Sequence, residues 1–295
     1  MAEIEKVGVL GCGLMGHGIT QVAAQAGYEV VVREVDEAPL AKGIGKIEKQ
    51  LARAVEKGKA TQEDADAVRS RIQGTVDYGD LADCDLVLEA ITEDLGLKLE
   101  MWAAVDAVAK PEAFFATNTS SLAVIEQAAS TSRPERFLGL HFFNPVQVMK
   151  LLEVVRCVTT SPEALEVGLE FGRRLGKLTV QTNDKAGFIV NRLLVPYMLD
   201  AIRAYEEGVG SITEIDEGMK GGAAHPMGPL ALLDLIGLDT IGAVCDALYD
   251  EFRERRFARP PTLRKMLAAG WYGRKSGIGF YDYSGETPVE NPGLR

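Results

Sequence analysis

Two residues of the chain, His141 and Glu153, have the types and the spacing of a general acid–base pair. His141 ends an apolar run typical of a buried strand, and an imidazole ordinarily has a pKa close to neutral pH, which suits proton transfer. Glu153 lies twelve residues further on, inside the run Leu-Leu-Glu-Val-Val, where a lone carboxylate is costly to bury. If the two strands are neighbours, the carboxylate can fix the imidazole tautomer and favour the protonated ring. The alternative interpretation is a buried histidine bonded to backbone, with the glutamate in water at a strand edge.

A glycine-rich turn near the start of the chain predicts a binding site for a dinucleotide. Gly11, Gly13 and Gly16 form a G-x-G-x-x-G pattern between a strand-like run and a helical pattern, with Leu14 and Met15 preceding the third glycine. In that context the first glycine allows a tight turn, the second lets a pyrophosphate approach the backbone, and the third lets helix and strand pack closely. The helix N-terminus then offers free N–H groups to the anion. The alternative is a glycine-rich turn that binds nothing.

An acidic residue after the second strand-like run indicates NAD rather than NADP. Glu34 follows Gly16 by 18 residues, where a carboxylate can meet the ribose hydroxyls of the adenosine and repel a 2′-phosphate. Arg33 beside it leaves NADP as the less favoured alternative. Asp36 competes for the same role, but it is better placed to begin the next helix as its N-cap. His17, which follows the third glycine, is expected to pack near the cofactor phosphates rather than to do chemistry.

The order of apolar runs and helical patterns predicts the elements that position these residues. Short apolar runs alternate with helical patterns in the first part of the chain, which is typical of a parallel sheet covered on both faces. Four helical patterns follow, at residues 189–207, 213–220, 229–254 and 261–269, without a convincing strand. The sequence therefore predicts an α/β fold: a Rossmann-type, doubly wound NAD-binding domain over residues 1–184 and a smaller, all-α C-terminal domain over residues 185–295. Residues 284–295 are expected to be disordered.

Composition argues against several other classes of protein. With 32 Lys and Arg against 43 Asp and Glu, the net charge is −11, so the basic field of a nucleic-acid or anionic-membrane binder is absent. The longest uncharged stretch, residues 7–28, contains six glycines and is too polar to span a membrane, and an acidic segment precedes it where a secretory signal would be basic. Four dispersed cysteines predict reduced thiols and a cytoplasmic location. The three histidines lack metal-ligand spacing, so no metal site is expected.

Several motifs, in order along the chain, closely resemble the 3-hydroxyacyl-CoA dehydrogenase family. They are the glycine turn at residues 11–16, Asn118-Thr-Ser-Ser121, His141-Phe-Phe-Asn-Pro145, Asp184-Lys-Ala-Gly-Phe-Ile-Val-Asn-Arg192, His225-Pro-Met-Gly-Pro229 and the segment at residues 270–281. The resemblance covers residues 7–283. It implies reversible, NAD-dependent interconversion of a 3-hydroxyacyl-CoA and a 3-oxoacyl-CoA, with a short-chain substrate such as 3-hydroxybutyryl-CoA, within fatty acid or butanoate metabolism. It also implies a homodimer formed through the helical domain, which would close over the acyl chain.

The resemblance also assigns roles to individual residues of this sequence. His141 would be the catalytic base in oxidation and the acid in reduction, with Glu153 as its partner. Ser120 and Asn191 would hydrogen-bond the 3-oxygen and the thioester region of the substrate, and Ser120 would also contact the cofactor. The other residues expected at the nicotinamide end of NAD are Glu93, Lys98, Asn118 and Asn144.

Arg53 and Lys57 occupy positions where the family uses basic residues for the CoA phosphates. They are four residues apart on one predicted helix and hence share a face, which without the resemblance would be a solvated charged surface. Two rival functions remain. One is a dehydrogenase of a free hydroxy acid on the same fold, for which charge reversal at these two positions would leave KM unchanged. The other is a non-catalytic NAD-binding or structural protein, which the combined presence of the candidate catalytic residues disfavours.

Overall fold

The structure, a computed structural model, describes residues 3–294, so residues 1, 2 and 295 at the ends of the two predicted domains lie outside the described residues. The chain divides into two compact units after Phe188. The strands of the first unit are β1 (Lys6–Leu10), β2 (Glu29–Arg33), β3 (Ile72–Thr75), β4 (Leu86–Glu89), β5 (Phe114–Thr117), β6 (Phe137–Phe142), β7 (Leu151–Arg156) and β8 (Leu178–Asn183). Its helices are α1 (Gly16–Gln25), α2 (Glu37–Glu56), α3 (Gln62–Ser70), α4 (Leu95–Val108), α5 (Val124–Ala128) and α6 (Pro162–Arg174).

The strands of the first unit form one sheet in the order β3-β2-β1-β4-β5-β6-β7-β8. Strands β1 to β6 run parallel, whereas β7 pairs antiparallel with β6, and β8 runs parallel to β7. The direction of strand succession reverses between β1 and β4. Open α/β sheets bind ligands beyond the carboxyl ends of the strands at such a reversal. The predicted doubly wound fold is confirmed.

Helices cover both faces of this sheet, which explains why its strands are nearly continuous apolar runs. On one face Val9 and Leu138 belong to a core that also includes Ile19 of α1 and residues of α2, α3 and α6. On the other face Trp102 of α4 stacks on Phe115 of β5, with ring centroids 5.1 Å apart. The carboxyl ends of the strands are therefore held between two packed layers.

The second unit is mainly helical among its described residues. Its helices are α7 (Val190–Glu206), α8 (Ile212–Ala223), α9 (Pro229–Ile236), α10 (Leu238–Phe252) and α11 (Pro261–Ala268). The helix predicted at residues 229–254 is divided at Gly237, whose φ of +103° favours glycine. The expectations of no strand in this part and of a disordered tail are wrong. Strand β9 (Tyr281–Asp282) pairs with β10 (Val289–Glu290), because the tail folds back along the segment before it.

Two buried aspartates tie the helices of the second unit to its C-terminal segment. Asp216 of α8 accepts two backbone N–H bonds from the first turn of α9 and the hydroxyl of Tyr281. Asp234 of α9 accepts the N–H groups of Phe280 and Tyr281, both at 2.9 Å, and the hydroxyl of Tyr283 at 3.0 Å. Burial raises the pKa of Asp234 to about 6, because the loss of hydration outweighs the hydrogen bonds that lower it.

The cysteines are buried, and none forms a disulfide. They are Cys12, Cys84, Cys157 and Cys245. Burial raises the pKa of the Cys12, Cys84 and Cys245 thiols to about 12. Within residues 3–294 no group of three or more His, Cys, Asp and Glu side chains is arranged to hold a metal ion. No described helix combines the length and the apolar character needed to cross a membrane.

Candidate active site

The imidazole of His141 and the carboxylate of Glu153 form a buried hydrogen-bonded pair. The two residues are directly opposite each other in the antiparallel ladder between β6 and β7. His141 Nδ1 lies 2.7 Å from Glu153 Oε2, and the side chains are 6% and 0% exposed. Since a carboxylate accepts, Nδ1 carries the hydrogen, which leaves Nε2 as the ring atom that can exchange a proton with a substrate.

Two phenylalanines pack against the His141 ring. The centroid of Phe143 lies 4.6 Å from the imidazole centroid, and that of Phe188 lies 5.3 Å away. Phe188 is buried and has a φ of +46°, a left-handed conformation that is unfavourable for a bulky residue and accumulates at functional sites. Sequence reasoning missed this role for Phe188, which the structure places against the proposed catalytic histidine.

The three glycines of the turn after β1 have different structural reasons to be glycine. Gly11 has a φ of +90°, and a Cβ there would lie 2.8 Å from the carbonyl oxygen of Ala90. A Cβ on Gly16 would lie 1.8 Å from the carbonyl oxygen of Gly11, so the fold itself requires glycine. A Cβ on Gly13 would meet no protein atom within 4 Å. The protein leaves space at Gly13, as expected where a pyrophosphate approaches the backbone, so the residues present fit a dinucleotide.

The carboxylate of Glu34 is held against this glycine turn. Oε1 accepts the backbone N–H of Cys12 at 2.6 Å, and Oε2 accepts that of Val35 at 3.1 Å. A carboxylate has further lone pairs, so it can still accept ribose hydroxyls. Arg33 is engaged elsewhere, with Nε donating to the Val76 carbonyl at 3.2 Å and its guanidinium 3.9 Å above the ring of Tyr78. This arrangement favours NAD over NADP.

A buried ion pair lies at the carboxyl end of β4. Lys98 Nζ is 2.5 Å from Glu89 Oε1 and 3.3 Å from Glu93 Oε2, and the Lys98 and Glu89 side chains are 1% and 0% exposed. The hydroxyl of Thr117 donates to Glu89 Oε2 at 2.6 Å. Burial raises the pKa of Glu89, although the Lys98 ammonium and these hydrogen bonds oppose the shift. Sequence reasoning missed Glu89, which fixes the position of the Lys98 ammonium.

Glu93 connects this ion pair to the segment after β5. Its carboxylate accepts the Ser120 N–H at 2.7 Å and the Thr119 hydroxyl at 2.9 Å, and the Ser120 hydroxyl lies 3.3 Å from Oε1. Asn118 Oδ1 accepts the backbone N–H of Phe142, the residue after His141, at 2.9 Å. The structure thus brings Glu93, Lys98, Asn118 and Ser120 together around the carboxyl ends of β4, β5 and β6.

Other predicted site residues belong to other segments of the chain. Leu14 is 65% exposed in the glycine turn, and Met15 is half-buried at the N-cap of α1. Asn144 is exposed in the segment after β6. Three further residues that the sequence predicts to bind substrate lie on α2, just after α2 and on α7. Arg53 lies in the last turn of α2, Lys57 follows that helix directly, and Asn191 lies in the first turn of α7.

One sheet carries the open glycine turn, the acid after β2 and the buried histidine–carboxylate pair. This combination defines a dinucleotide-dependent oxidoreductase. Family models extend this assignment over both units. The NAD binding domain of 3-hydroxyacyl-CoA dehydrogenase matches residues 6–185, and the C-terminal domain of the same enzymes matches residues 187–283. The chain belongs to the 3-hydroxyacyl-CoA dehydrogenase family, and its cofactor is NAD.

Individual relatives resemble the chain over nearly its whole length. A 3-hydroxybutyryl-CoA dehydrogenase of Mycobacterium tuberculosis is 46% identical over 282 residues, covering 95% of this chain and 99% of the relative. The human mitochondrial hydroxyacyl-coenzyme A dehydrogenase is 44% identical, covering 95% of this chain and 91% of the relative. The crystal structure of (S)-3-hydroxybutyryl-CoA dehydrogenase from Ralstonia eutropha has a TM-score of 0.92 and 42% identity, and the match covers 96% of this chain and 100% of that one.

Proposed function

We propose that the protein reversibly interconverts a 3-hydroxyacyl-CoA and the corresponding 3-oxoacyl-CoA. The preferred substrate is proposed to have a short acyl chain, as 3-hydroxybutyryl-CoA does. The single observation that carries the proposal is the buried contact of 2.7 Å between His141 and Glu153, on a sheet that belongs to an NAD-binding domain. The short chain length is supported by relatives that are named for 3-hydroxybutyryl-CoA and are 42–46% identical.

In the proposed mechanism His141 moves the proton of the substrate hydroxyl. During oxidation Nε2 accepts that proton while the hydride leaves C3, and Glu153 stabilises the resulting imidazolium through Nδ1. NAD, when bound to the glycine turn, would supply the hydride acceptor. Ser120 and Asn191 are proposed to hydrogen-bond the 3-oxygen and the thioester region. Glu93 supports this role for Ser120, because it holds the Ser120 backbone at 2.7 Å.

Cofactor binding is proposed to follow the glycine turn and the polar cluster beyond the strands. Gly11, Gly13 and Gly16, with Leu14 and Met15, would hold the pyrophosphate, and Glu34 the adenosine ribose. The residues proposed for the nicotinamide end are Glu93, Lys98, Asn118, Ser120 and Asn144. The space at Gly13, the ion pair of Lys98 with Glu93 and the hydrogen bond from the Ser120 N–H to Glu93 support the assignment.

Arg53 and Lys57 are proposed to bind the CoA phosphates. Both side chains are exposed on an otherwise acidic protein, so they are accessible to an anionic ligand. Replacing both by glutamate should raise KM for acetoacetyl-CoA and leave the affinity for NADH unchanged. An unchanged KM would favour a substrate without CoA, such as a free hydroxy acid.

The direct test is a spectrophotometric assay at about 340 nm with acetoacetyl-CoA, run in parallel with NADH and NADPH. Rapid oxidation of NADH at a turnover typical of enzymes, about 1–1,000 per second, is the expected result, with a much slower rate for NADPH. Absence of turnover with either cofactor, in a preparation that still binds NADH, would contradict the proposed function.

Three structural proposals accompany this activity. The boundary between the two domains is proposed to lie close to Asp184, which is still tied to the first unit because its carboxylate accepts the Val124 and Ile125 N–H groups at the start of α5. The second unit is proposed to form a homodimer, with the exposed side chains of Leu193 and Val209, 68% and 73% exposed, as candidate contacts. Light scattering would measure the oligomeric state. A cytoplasmic location is proposed from the free, buried cysteines.

A further inference from the structure

A chain of polar side chains leads from the glycine turn to the segment after β6. His17 Nδ1 lies 2.6 Å from the carbonyl oxygen of Gly13, and Gln50 Nε2 lies 3.3 Å from His17 Nε2. Gln147 Nε2 donates to Gln50 Oε1 at 2.7 Å and to Gln21 Oε1 at 3.2 Å. His17 and Gln21 are 8% and 5% exposed. The proposed mechanism uses none of these four side chains.

The donors and acceptors of this network are consistent with one state of the imidazole. The Gly13 carbonyl can only accept, so His17 Nδ1 carries the hydrogen. The other ring nitrogen then accepts from the Gln50 amide, and the oxygen of that amide is occupied by Gln147. Each partner therefore restricts the next, and the ring is held with its N–H directed at Gly13.

Close packing fixes the elements that carry the network. A Cβ on Gly18 of α1 would lie 2.9 Å from the Cβ of Val146 and 3.1 Å from Gln147 Nε2. A Cβ on Gly43 of α2 would lie 2.3 Å from the Sγ of Cys12 in the glycine turn. Helix α1 thus contacts the loop after β6, and α2 contacts the glycine turn, so closely that neither Gly18 nor Gly43 has room for a side chain.

The imidazole supplies the short hydrogen bond to a carbonyl that the helix holds weakly. The backbone N–H of His17 reaches the same Gly13 oxygen only at 3.4 Å, compared with 2.6 Å for the side chain. In a trans peptide the C=O and the following N–H point in opposite directions. Tethering the Gly13 carbonyl to His17 of α1 therefore directs the Leu14 N–H the opposite way, out from the N-terminal end of the helix, where an anion binds.

We propose that His17 is a positioning residue for the cofactor: it aims the Leu14 N–H at the pyrophosphate, with Gln50 and Gln147 holding the imidazole. The inference rests on the proposed placement of NAD on the glycine turn, but not on the identity of the substrate. The pyrophosphate is common to NAD⁺, NADH and ADP-ribose, so all three ligands depend on this N–H.

Two substitutions of His17 separate positioning from a general structural role. In His17→Asn the side-chain amide can occupy the Nδ1 position and donate to Gly13, whereas in His17→Gln the amide lies at the Nε2 position and cannot. Misdirecting one hydrogen bond to a charged group should weaken ADP-ribose and NADH binding to His17→Gln about tenfold, in equal proportion. His17→Asn should remain within about threefold of the wild type. Calorimetric titration measures the affinity of each variant for ADP-ribose and for NADH.

Gln147→Leu tests the outer part of the network, with Gln73→Leu as its matched control on the exposed side of β3. The first variant should weaken ADP-ribose binding in the same direction as His17→Gln but less, and the control should not change it. Equal losses in His17→Asn and His17→Gln, or no loss in either, would overturn the proposal. Loss of NADH affinity with ADP-ribose affinity intact would overturn it as well. Because ADP-ribose binding needs no turnover, failure of the proposed activity would be recognised separately, in the assay with acetoacetyl-CoA.

Discussion

His141 and Glu153 are a directly opposed pair in the antiparallel ladder of β6 and β7, so both side chains project from the same face of the sheet. Side chains alternate between faces along a strand, and a shift of the register by one residue would place the two groups on opposite faces. The buried residues that flank them on each strand fix this register. The hydrophobic core therefore sets the alignment of the acid–base pair.

The first prediction concerns coupling between these two residues. Glu153→Gln keeps the shape of the side chain but removes the charge that stabilises the imidazolium, so kcat should fall by about 10² or more. His141→Gln should cost at least about 10² in kcat, with NADH affinity retained. If Glu153 acts through His141, the double variant will be no slower than His141→Gln. Additive losses in steady-state assays would contradict that dependence.

The second prediction separates the glycine required by the cofactor from the glycine required by the fold. Gly13→Ala should change the free energy of unfolding by no more than about 0.5 kcal/mol, since its Cβ meets no protein atom within 4 Å. It should nevertheless weaken NADH binding at least about tenfold, because the methyl group displaces the pyrophosphate. Gly16→Ala should prevent folding, because its Cβ would overlap the carbonyl oxygen of Gly11. Urea denaturation and NADH fluorescence titration measure the two effects, and unchanged NADH affinity in Gly13→Ala would place the cofactor elsewhere.

The third prediction concerns the buried ion pair of Glu89 and Lys98. Lys98→Met leaves a carboxylate buried without its cation and should reduce the free energy of unfolding by about 3–5 kcal/mol. Adding Glu89→Gln should restore much of that loss, because the uncompensated charge is removed. Lys220→Met breaks an exposed pair with Glu217 and should cost at most about 1 kcal/mol. Urea unfolding without cofactor is the measurement, and a double variant less stable than Lys98→Met would be inconsistent with this explanation.

The fourth prediction follows from the pKa of Asp234, which burial raises from 3.8 to about 6. An acid with a raised pKa in the folded state contributes stability below its unfolded pKa, and that contribution is lost as pH rises through about 6. The loss for Asp234 amounts to about 3 kcal/mol. Asp234→Asn should therefore destabilise the protein more at about pH 4.5 than at pH 7, because only the wild type has the titrating group.

Urea unfolding of the wild type and of Asp234→Asn across that pH range measures the difference in their free energies of unfolding. Acids that titrate alike in both proteins contribute equally, so their contributions cancel in this difference. A difference that stays constant, or that grows with pH, would show that Asp234 is ionised throughout.

Local patterns were sufficient to predict the class of the fold and the contact between His141 and Glu153. Strands β1 and β2 are two of the short apolar runs that alternate with helical patterns, and turn signals bound each of them. Glu153 stands out in the sequence because its carboxylate interrupts an apolar run. The same reasoning applied to Leu-Val-Leu-Glu at β4 would have found Glu89, which lies at the end of an equally buried strand.

Other features depend on contacts that are distant in sequence. Strand β3 is an edge strand with the polar sequence Ile-Gln-Gly-Thr, and its pairing with β2 defines it more than its own pattern does. The link between His17 and Gln147 joins residues 130 positions apart through a glutamine of a third element. Such a network follows from the packing of α1 and α2, and no local pattern marks it.

The burial of the cysteines has a practical consequence for labelling chemistry. All four thiols are buried, so reagents such as maleimides and peroxide do not reach them, and the raised pKa of Cys12, Cys84 and Cys245 further lowers the fraction present as the reactive thiolate. The native protein should therefore tolerate alkylating reagents while it is folded. A single cysteine introduced at an exposed position could carry a fluorophore or a spin label without prior removal of the native ones.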